Sequence, residues 1–419
     1  MAQLHKNFTD HQVKELICRY LGKEIERSYI QEILGIGKTR FFALVKKYNE
    51  DQDSFSIEYK RKGTSRKISK DIEYNIMKEL EIEKQLIADP EVPLRSYNYS
   101  YIADRLLSTY GQRVSTPTII SRAKRGGFYL KKSKRKAHDR EVLTNYVGEL
   151  IQHDSSHHKW SPYADRKWYL ITSIDDCSRF LLYYKLLERE TSWAHIEALE
   201  EVALNFGLAY SYYVDSHSIF RFVQGRDSFW RKHYKVTDEA DPQWKQVLDD
   251  LRVKLIYALS PQAKGKIERP YGWLQDRIVR TCAREGVDNV IDGQKVVEAE
   301  AARYNYKQVH STTGEVPYYR LKRKVANGES LFREFLVPKP YVSTKDIFAL
   351  RDQRVVNPYR RISFNNLTIN ITGVPIREKV NLRIVPDLRS GMAEIRFWYK
   401  EELVGTYQVR NEDLNLPNF

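Results

Sequence analysis

Hydrophobic positions in the first 50 residues recur at the spacing of amphipathic helices. The pattern predicts helices over residues 9–21, 28–34 and 38–48, with a Gly35-Ile36-Gly37 turn before the third. Two helices joined by a glycine-containing turn are typical of a helix-turn-helix unit. Many small helical bundles share this pattern, so a plain bundle is the alternative.

The same helical pattern recurs in the next stretch of the chain. Residues 69–86 and 100–111 have amphipathic spacing, and a third helix follows from Ser115 until Gly126 ends it. Ser115 is a good N-cap, and Pro117 fits the first helical turn, where its missing N–H costs little. The repeat predicts a second helix-turn-helix unit, and two such units favour bipartite binding of one DNA site.

The pattern changes from helical to strand-rich after Asn145. Stretches rich in β-branched and aromatic residues, separated by turn residues, predict three consecutive strands. Helices and strands then alternate, an order that is typical of an α/β domain with a mixed sheet. The predicted elements are strands over 147–156, 167–175, 180–188, 209–216 and 254–259, and helices over 191–207, 242–253 and from Lys266 onward.

Short alternating strands return from Val342 to Leu414, which favours a small β-barrel. The predicted fold class is therefore multidomain, with N-terminal all-α helix-turn-helix units, a central α/β core and a C-terminal β-barrel. The predicted segments are 1–52 (helix-turn-helix DNA-binding domain), 53–68 (basic linker), 69–130 (second helix-turn-helix DNA-binding domain), 131–144 (basic linker), 145–285 (α/β core), 286–338 (helical connector) and 339–419 (β-barrel domain).

The charge of the chain indicates a partner class. There are 70 Lys and Arg residues against 55 Asp and Glu, a net charge of +15. A protein this basic often binds a polyanion, and a solvated basic surface is the alternative. The charge is concentrated in residues 59–67 and 122–140, and such blocks gain free energy by releasing counterions from phosphates. Both blocks are therefore predicted to lie on DNA.

Other features of the composition exclude some protein classes. No apolar run approaches the ~18 residues of a membrane span, and the N-terminus lacks the apolar core of a signal peptide. Cys18, Cys177 and Cys282 are isolated, which argues against disulfides and against a structural zinc site. We therefore expect a cytoplasmic, DNA-associated protein that does not enter a membrane.

Three acidic residues occur where the pattern predicts strand ends and a helix start. Asp154 ends one apolar strand, Asp215 ends another, and Glu268 begins the last core helix. Each alone has an ordinary explanation, as a turn former or as a residue favoured by the helix dipole. Together they can converge, and clustered carboxylates suit Mg²⁺, with Mn²⁺ as an alternative. Two such ions can activate a water or a 3′-hydroxyl and stabilise the leaving oxygen during in-line attack on phosphate.

Four stretches of this region carry a family resemblance: IQHDSS, ITSIDDCSRF, YYVDS and SPQAKGKIERPYGWLQDRI. They resemble the catalytic core of insertion-sequence transposases and retroviral-type integrases, the DDE enzymes of the RNase H-like superfamily. The resemblance covers residues 145–285 closely and the flanking segments more loosely. It implies an RNase H-like core in which Asp154, Asp215 and Glu268 form the metal-binding catalytic triad.

Other polar residues near the triad are interpreted as structural. Asp175 and Asp176 fall in the turn between the second and third strands, where aspartate is a common turn former. His153, His157 and His158 flank the first acid of the triad. Packing or DNA contact is favoured for these histidines over metal binding, because hard cations prefer oxygen ligands.

The sequence departs from the family pattern in two places. Residues 217–240 form an insertion between the second and third acids, either a DNA- or partner-contacting loop or a surface elaboration. Many relatives carry Lys or Arg seven residues after the glutamate, where this chain has Gln275. Lys264, Lys266 or Arg277 is then the alternative source of positive charge.

Pro270 predicts where the last core helix begins. A proline inside a helix removes a hydrogen bond and clashes with the preceding turn. We therefore expect the helix to begin near Lys266, with Pro270 in or just beyond its first turn. Glu268 would then lie near the helix start.

The resemblance implies a DDE-type transposase that binds element-end DNA and catalyses metal-dependent strand cleavage and strand transfer by transesterification. It also implies double-stranded DNA of element ends and target as partners, and a homodimer or higher oligomer on that DNA. A domesticated DNA-binding regulator without cleavage and an RNase H-like nuclease are the alternatives. The residues predicted to contact DNA are Lys38, Thr39, Arg40, Thr116, Thr118, Arg122, Lys124, Arg125, Lys131, Lys132, Lys134, Arg135, Lys136, Lys264, Lys266 and Arg277.

Overall fold

The computed structural model describes residues 4–58, 68–130, 144–214, 243–257, 265–365 and 367–414, with only the helical backbone described for 265–270. The chain divides into two compact units, Met1–Tyr74 and Asn75–Phe419. No helix in the described ranges is long and apolar enough to cross a membrane. Outside the described residues lie the basic stretches 59–67 and 131–143, the insertion 217–240, Asp215, the predicted DNA contacts Lys131, Lys132, Lys134, Arg135, Lys136 and Lys264, and the side chains of Lys266 and Glu268.

Three helices form the first unit, and each lies within two residues of its predicted bounds. Thr9 caps the first helix in a capping box with Gln12. The second ends at Gly35, whose φ of 61° is a left-handed conformation that favours glycine. The helices are confirmed, whereas their function as a helix-turn-helix unit stays a prediction. The elements are a 3-10 helix (Leu4–Lys6), α1 (Asp10–Leu21), α2 (Arg27–Leu34) and α3 (Lys38–Glu50).

Three more helices precede the sheet: α4 (Lys70–Ala88), α5 (Tyr99–Tyr110) and α6 (Thr116–Arg125). Asn98 caps α5 by accepting a hydrogen bond from the backbone N–H of Tyr101. Pro117 occupies the start of α6, as its fixed φ and missing N–H favour. These helices confirm the amphipathic pattern, and their assignment to a second helix-turn-helix unit also stays a prediction.

A five-stranded mixed sheet forms the centre of the second unit. Its strands are β1 (Ile151–His158), β2 (Trp168–Asp175), β3 (Leu181–Leu187), β4 (Ser211–Val214) and β5 (Lys254–Tyr257). Their order is β3-β2-β1-β4-β5. The first three strands are antiparallel neighbours, and β4 runs parallel to both β1 and β5. The predicted α/β core with a mixed sheet is confirmed.

Helices cover both faces of this sheet, which explains why β2 is apolar on both sides. On one face α7 (Ser192–Phe206) and α8 (Gln243–Asp250) share a core with Ile151 and Ile171. On the other, α9 (Gly265–Glu285) and α10 (Val290–Tyr306) pack around Trp168 and Leu170.

The predicted helical connector contains α10 and α11 (Pro317–Ala326). The segment 286–338 does not only connect two domains, because α10 packs on the central sheet as part of its helical layer. The side-chain oxygens of Gln294 and Asn305 accept hydrogen bonds from the backbone N–H groups of Leu186 and Leu181, at 2.8 and 2.9 Å. The core layers therefore continue beyond residue 285.

The turn between β2 and β3 anchors the start of β1. Asp175 is fully buried, and its carboxylate accepts hydrogen bonds from the backbone N–H of Gly148 at 2.8 Å and of Ser178 at 2.7 Å. Asp176 accepts from Arg179 at 3.0 Å and from the Gln152 amide on β1. These contacts agree with the structural interpretation of the two acids.

The C-terminal region contains a sheet rather than the predicted barrel. A four-stranded sheet has the order β11-β10-β9-β6, and β7 and β8 form a separate two-stranded sheet. Since β6 and β11 are both edges, the hydrogen-bond ladder does not close among the described residues, and the β-barrel prediction is corrected in this respect. The elements are a 3-10 helix (Thr344–Asp346), β6 (Leu350–Val355), β7 (Arg361–Phe364), β8 (Leu367–Asn370), β9 (Lys379–Asp387), β10 (Met392–Tyr399), β11 (Glu402–Arg410) and α12 (Asn411–Leu414).

Candidate active site on the central sheet

Asp154 lies on β1 and is paired in register with Thr172 of β2. Its side chain is half-buried, whereas its neighbour His153 is buried and stacks on Trp244 of α8 at 5.3 Å between ring centroids. Successive side chains of a strand point to opposite faces. His153 therefore faces the α7/α8 layer, and Asp154 faces the layer of α9.

Tyr271 fastens α9 to the strand at this residue. Its hydroxyl donates a hydrogen bond to the backbone oxygen of Asp154 at 2.7 Å and accepts one from the Thr172 hydroxyl at 2.8 Å. One turn further along, the Gln275 amide donates to the Ser156 hydroxyl at 3.1 Å. Two neighbouring contacts thus hold one face of α9 on β1.

Glu268 lies in the same helix, three positions before Tyr271 and seven before Gln275. Positions at these spacings share one face of an α-helix. The described part of this helix begins at Gly265. Residues 258–264 lie outside the described residues, so a start near Lys266 with Pro270 beside the first turn stays a prediction.

The strand that precedes Asp215 is the parallel neighbour of β1. Tyr212 and Tyr213 of β4 pair with Ile151 and Gln152, and the described strand ends at Val214. Among the described residues, no group of three or more His, Cys, Asp and Glu side chains is arranged to hold a metal ion. Since Asp215 and the side chain of Glu268 lie outside the described residues, the convergence of the triad stays a prediction.

The histidines that flank Asp154 are engaged in packing, as expected. His153 contacts the Ser173 hydroxyl and His195, each at 2.8 Å, and His195 contacts Glu190 at 3.0 Å. His157 stacks on Tyr169 with ring centroids 4.2 Å apart.

His158 lies in a similar environment beside Trp160, with ring centroids 5.5 Å apart. Burial lowers the pKa of His158, and the positive charge of Lys167 lowers it further. The ring is therefore favoured in its neutral form, which agrees with a packing role.

Arg277 is buried among acidic side chains of neighbouring helices. Its side chain is 1% exposed, and its guanidinium pairs with Asp104 of α5 and Glu300 of α10, each at 2.7 Å. The prediction that Arg277 contacts DNA is therefore corrected. Position 277 points toward α5 and α10, whose carboxylates neutralise its charge.

The other described residues predicted to contact DNA lie at or near the surface. Lys38 and Thr39 are exposed at the start of α3, and Lys124 and Arg125 are exposed at the end of α6. Arg40, Thr116, Thr118 and Arg122 are half-buried. These positions are compatible with DNA contact, which stays a prediction.

Sequence reasoning missed Tyr271 as the link between the two elements that carry Asp154 and Glu268. The available signal was helical spacing, because an aromatic residue three positions after Glu268 shares its face. The partners of Tyr271 could not be read from that spacing, since Thr172 lies 99 positions away in the sequence.

Comparison with known proteins gives related sequences. A protein of Sinorhizobium fredii designated a transposase is 28% identical over 269 residues, which are 64% of this chain and 54% of the relative. A transposase for an insertion sequence of Streptococcus pneumoniae is 28% identical over 144 residues, 34% of this chain and 29% of the relative. The matched parts of the chain are similar to these two transposases. This finding agrees with the resemblance to the transposase/integrase superfamily, although no family model matches the chain.

The chain spans about half the length of the first of these curated relatives and under a third of the second. Among solved structures, the catalytic core of HTLV-2 integrase in complex with magnesium is 16% identical, with a TM-score of 0.31 over 43% of this chain and 98% of that one. A chain of the simian T-cell lymphotropic virus intasome in complex with a PP2A regulatory subunit is 12% identical, with a TM-score of 0.35 over 74% and 96%.

Proposed function

We propose that the chain is a DDE-type transposase that cleaves DNA strands and joins them by transesterification. The observation that carries the proposal is the attachment of Asp154 on β1, through Tyr271, to the helix that contains Glu268. The strand leading to Asp215 is the parallel neighbour of β1. The elements of the three acids are thus adjacent, and the similarity to transposases favours DNA as the substrate.

The chemistry of the donor set fits a divalent cation. Asp154, Asp215 and Glu268 offer carboxylate oxygens, which Mg²⁺ and Mn²⁺ prefer over nitrogen or sulfur. Asp154 is only half-buried, so solvent and substrate can reach its face of the sheet. When two ions are bound, they supply activation of the attacking hydroxyl and stabilisation of the leaving oxygen.

The protein itself contributes a rigid frame for these acids. The Asp154 carbonyl is bonded to Tyr271, and its strand is flanked on both sides by other strands of the sheet. Fixed geometry matters because a displacement of about 1 Å at a reacting centre can cost on the order of 100-fold in rate. The Gln275 side-chain amide donates a hydrogen bond to the Ser156 hydroxyl, two residues after Asp154 on β1. Many relatives have a Lys or Arg at this position of the helix.

DNA binding is proposed for the helical segments. The exposed side chains of Lys38 and Thr39 on α3, and of Lys124 and Arg125 on α6, would contact the backbone or base edges of element ends. Strand transfer joins two ends to a target, so the active form is proposed to be a dimer or higher oligomer on DNA.

The experiment is a strand-transfer assay in Mg²⁺ with end DNA taken from inverted repeats that flank the gene. Asp154→Asn and Glu268→Gln should each reduce strand transfer by at least about 100-fold, because a metal ligand supports several kcal/mol of transition-state stabilisation. The matched control is Asp165→Asn, which alters an exposed aspartate and should leave activity unchanged. Strand transfer that survives Asp154→Asn refutes the assignment, and products of hydrolysis alone favour a nuclease.

A further inference from the structure

The second half of α9 is held by buried charges that the proposed catalytic chemistry does not use. Arg280 pairs with Glu83 of α4, and both side chains are 0% exposed. The Arg280 guanidinium also bonds Asp276 at 2.9 and 3.1 Å and donates to the backbone oxygen of Ser96. Charged side chains are rarely buried this deeply unless they are paired. The cluster is therefore a specific contact between α4 and α9.

Further contacts extend this interface along α9. Arg284 pairs with Glu79 of α4, with side chains 6% and 2% exposed. The hydroxyl of Thr281 lies 2.9 Å from that of Tyr101 on α5. Two helices that precede the sheet thus dock on the helix that contains Glu268.

The start of α9 has little helical stability of its own. Pro270 lacks the N–H that would bond to the preceding turn, and Gly272 has a low helix propensity. The turn with Glu268 therefore depends on anchors further along the helix. Tyr271 anchors α9 on β1, and Arg280 anchors it on α4 nine residues later, a distance of about 14 Å along the axis.

We propose that Arg280 is a positioning residue. Through Glu83 it holds α9 on the α4–α6 helices, and so fixes the turn of Glu268 relative to Asp154. This proposal rests on the proposed function, because it assumes that Glu268 binds a metal ion. The helical segment that carries α6, one of the two helices proposed to contact DNA, is then part of the scaffold of the catalytic site.

The test measures Mn²⁺ affinity of the full chain, from the paramagnetic resonance signal of free Mn²⁺, at a temperature where each variant is folded. Arg280→Met should weaken binding about tenfold, an effect of the order that residues without contact to a ligand can have on its affinity. Hydrogen exchange should rise in residues 265–275 of the same variant. Arg280→Lys keeps the positive charge but loses the planar guanidinium that hydrogen-bonds several partners at once. It should weaken Mn²⁺ binding at least about threefold. The lysine variant is the decisive measurement if the methionine variant does not fold.

The matched control breaks a comparable buried pair elsewhere. Arg396 donates to Asp346 at 2.5 Å in the C-terminal sheet region, with side chains 10% and 0% exposed. Arg396→Met should destabilise the fold but leave Mn²⁺ affinity within about twofold, since the partners of Arg396, Asp346 and Glu394, lie in the C-terminal sheet region. Equal losses for the Arg280 and Arg396 variants would show a merely structural role and overturn the proposal.

Two other outcomes separate this proposal from the proposed function. If the unmodified chain binds Mn²⁺ and Asp154→Asn abolishes it, while both Arg280 variants bind as the unmodified chain does, only the positioning role is overturned. If the unmodified chain shows no Mn²⁺ binding that depends on Asp154, the proposed function fails and the positioning role fails with it.

Discussion

Tyr271→Phe removes an oxygen atom that joins α9 to both β1 and β2. The hydroxyl donates to the Asp154 carbonyl at 2.7 Å and accepts from Thr172 at 2.8 Å. Tyr271 is 6% exposed and Thr172 is fully buried, so water does not easily replace the lost partner. A buried donor or acceptor left unpaired costs about 1–3 kcal/mol. We therefore expect the free energy of unfolding to fall by about 2 kcal/mol.

A double-mutant cycle isolates this contact. Thr172→Val alone should also destabilise, because it removes the donor to Tyr271. When both partners are replaced by apolar groups of similar shape, little is left unpaired. The double variant should therefore be more stable than the sum of the single effects predicts, with a coupling energy of about 1 kcal/mol.

The assay is urea unfolding followed by tryptophan fluorescence. All 7 tryptophans lie after residue 75, so the signal reports on the second unit alone. Strand transfer by Tyr271→Phe, measured on folded protein, should fall at least about tenfold because Asp154 loses its support. Additive single effects, or full activity in Tyr271→Phe, would contradict the claim that this hydroxyl links α9 to the site.

Three further predictions concern Asp175, Gly207 and Arg277. Burial raises the pKa of Asp175 to about 6. The protonated carboxyl therefore stabilises the fold fully at a pH below the ordinary pKa of aspartate, and this contribution is lost as the pH rises through 6. Because of this group, the free energy of unfolding of the second unit should fall by about 3 kcal/mol between pH 4 and 7. Urea unfolding at several pH values measures this dependence, and Asp175→Asn should remove it. Gly207→Ala should lower stability by at least about 2 kcal/mol, because φ is 98° and the new Cβ would meet the backbone oxygen of Arg333; an unchanged unfolding midpoint would count against this. Arg277→Met should cost about 2 kcal/mol of stability, because it removes charged hydrogen bonds to Asp104 and Glu300, which keep Arg303 as a partner. The salt dependence of DNA binding should not change; a shallower salt slope would restore Arg277 as a DNA contact.

The order of elements could be predicted because it depends on local spacing. Apolar residues at alternate positions favour strands, and apolar residues three and four apart favour helices. This logic located β1 with Asp154 and the helix α9 that contains position 268. It also led to the barrel prediction, since alternation indicates strands but does not reveal whether the last strand pairs with the first.

The sequence by itself determined the elements, the excess of positive charge and the three acids with their spacing. Tertiary structure decided which distant residues meet. Arg280 and Glu83 are 197 positions apart, and Tyr271 and Asp154 are 117 apart. Arg277 had the sequence context of a DNA contact, yet the packing of α5 and α10 surrounds it with carboxylates. Whether a charged side chain faces solvent or a buried partner depends on contacts between remote segments, and local periodicity carries no information about them.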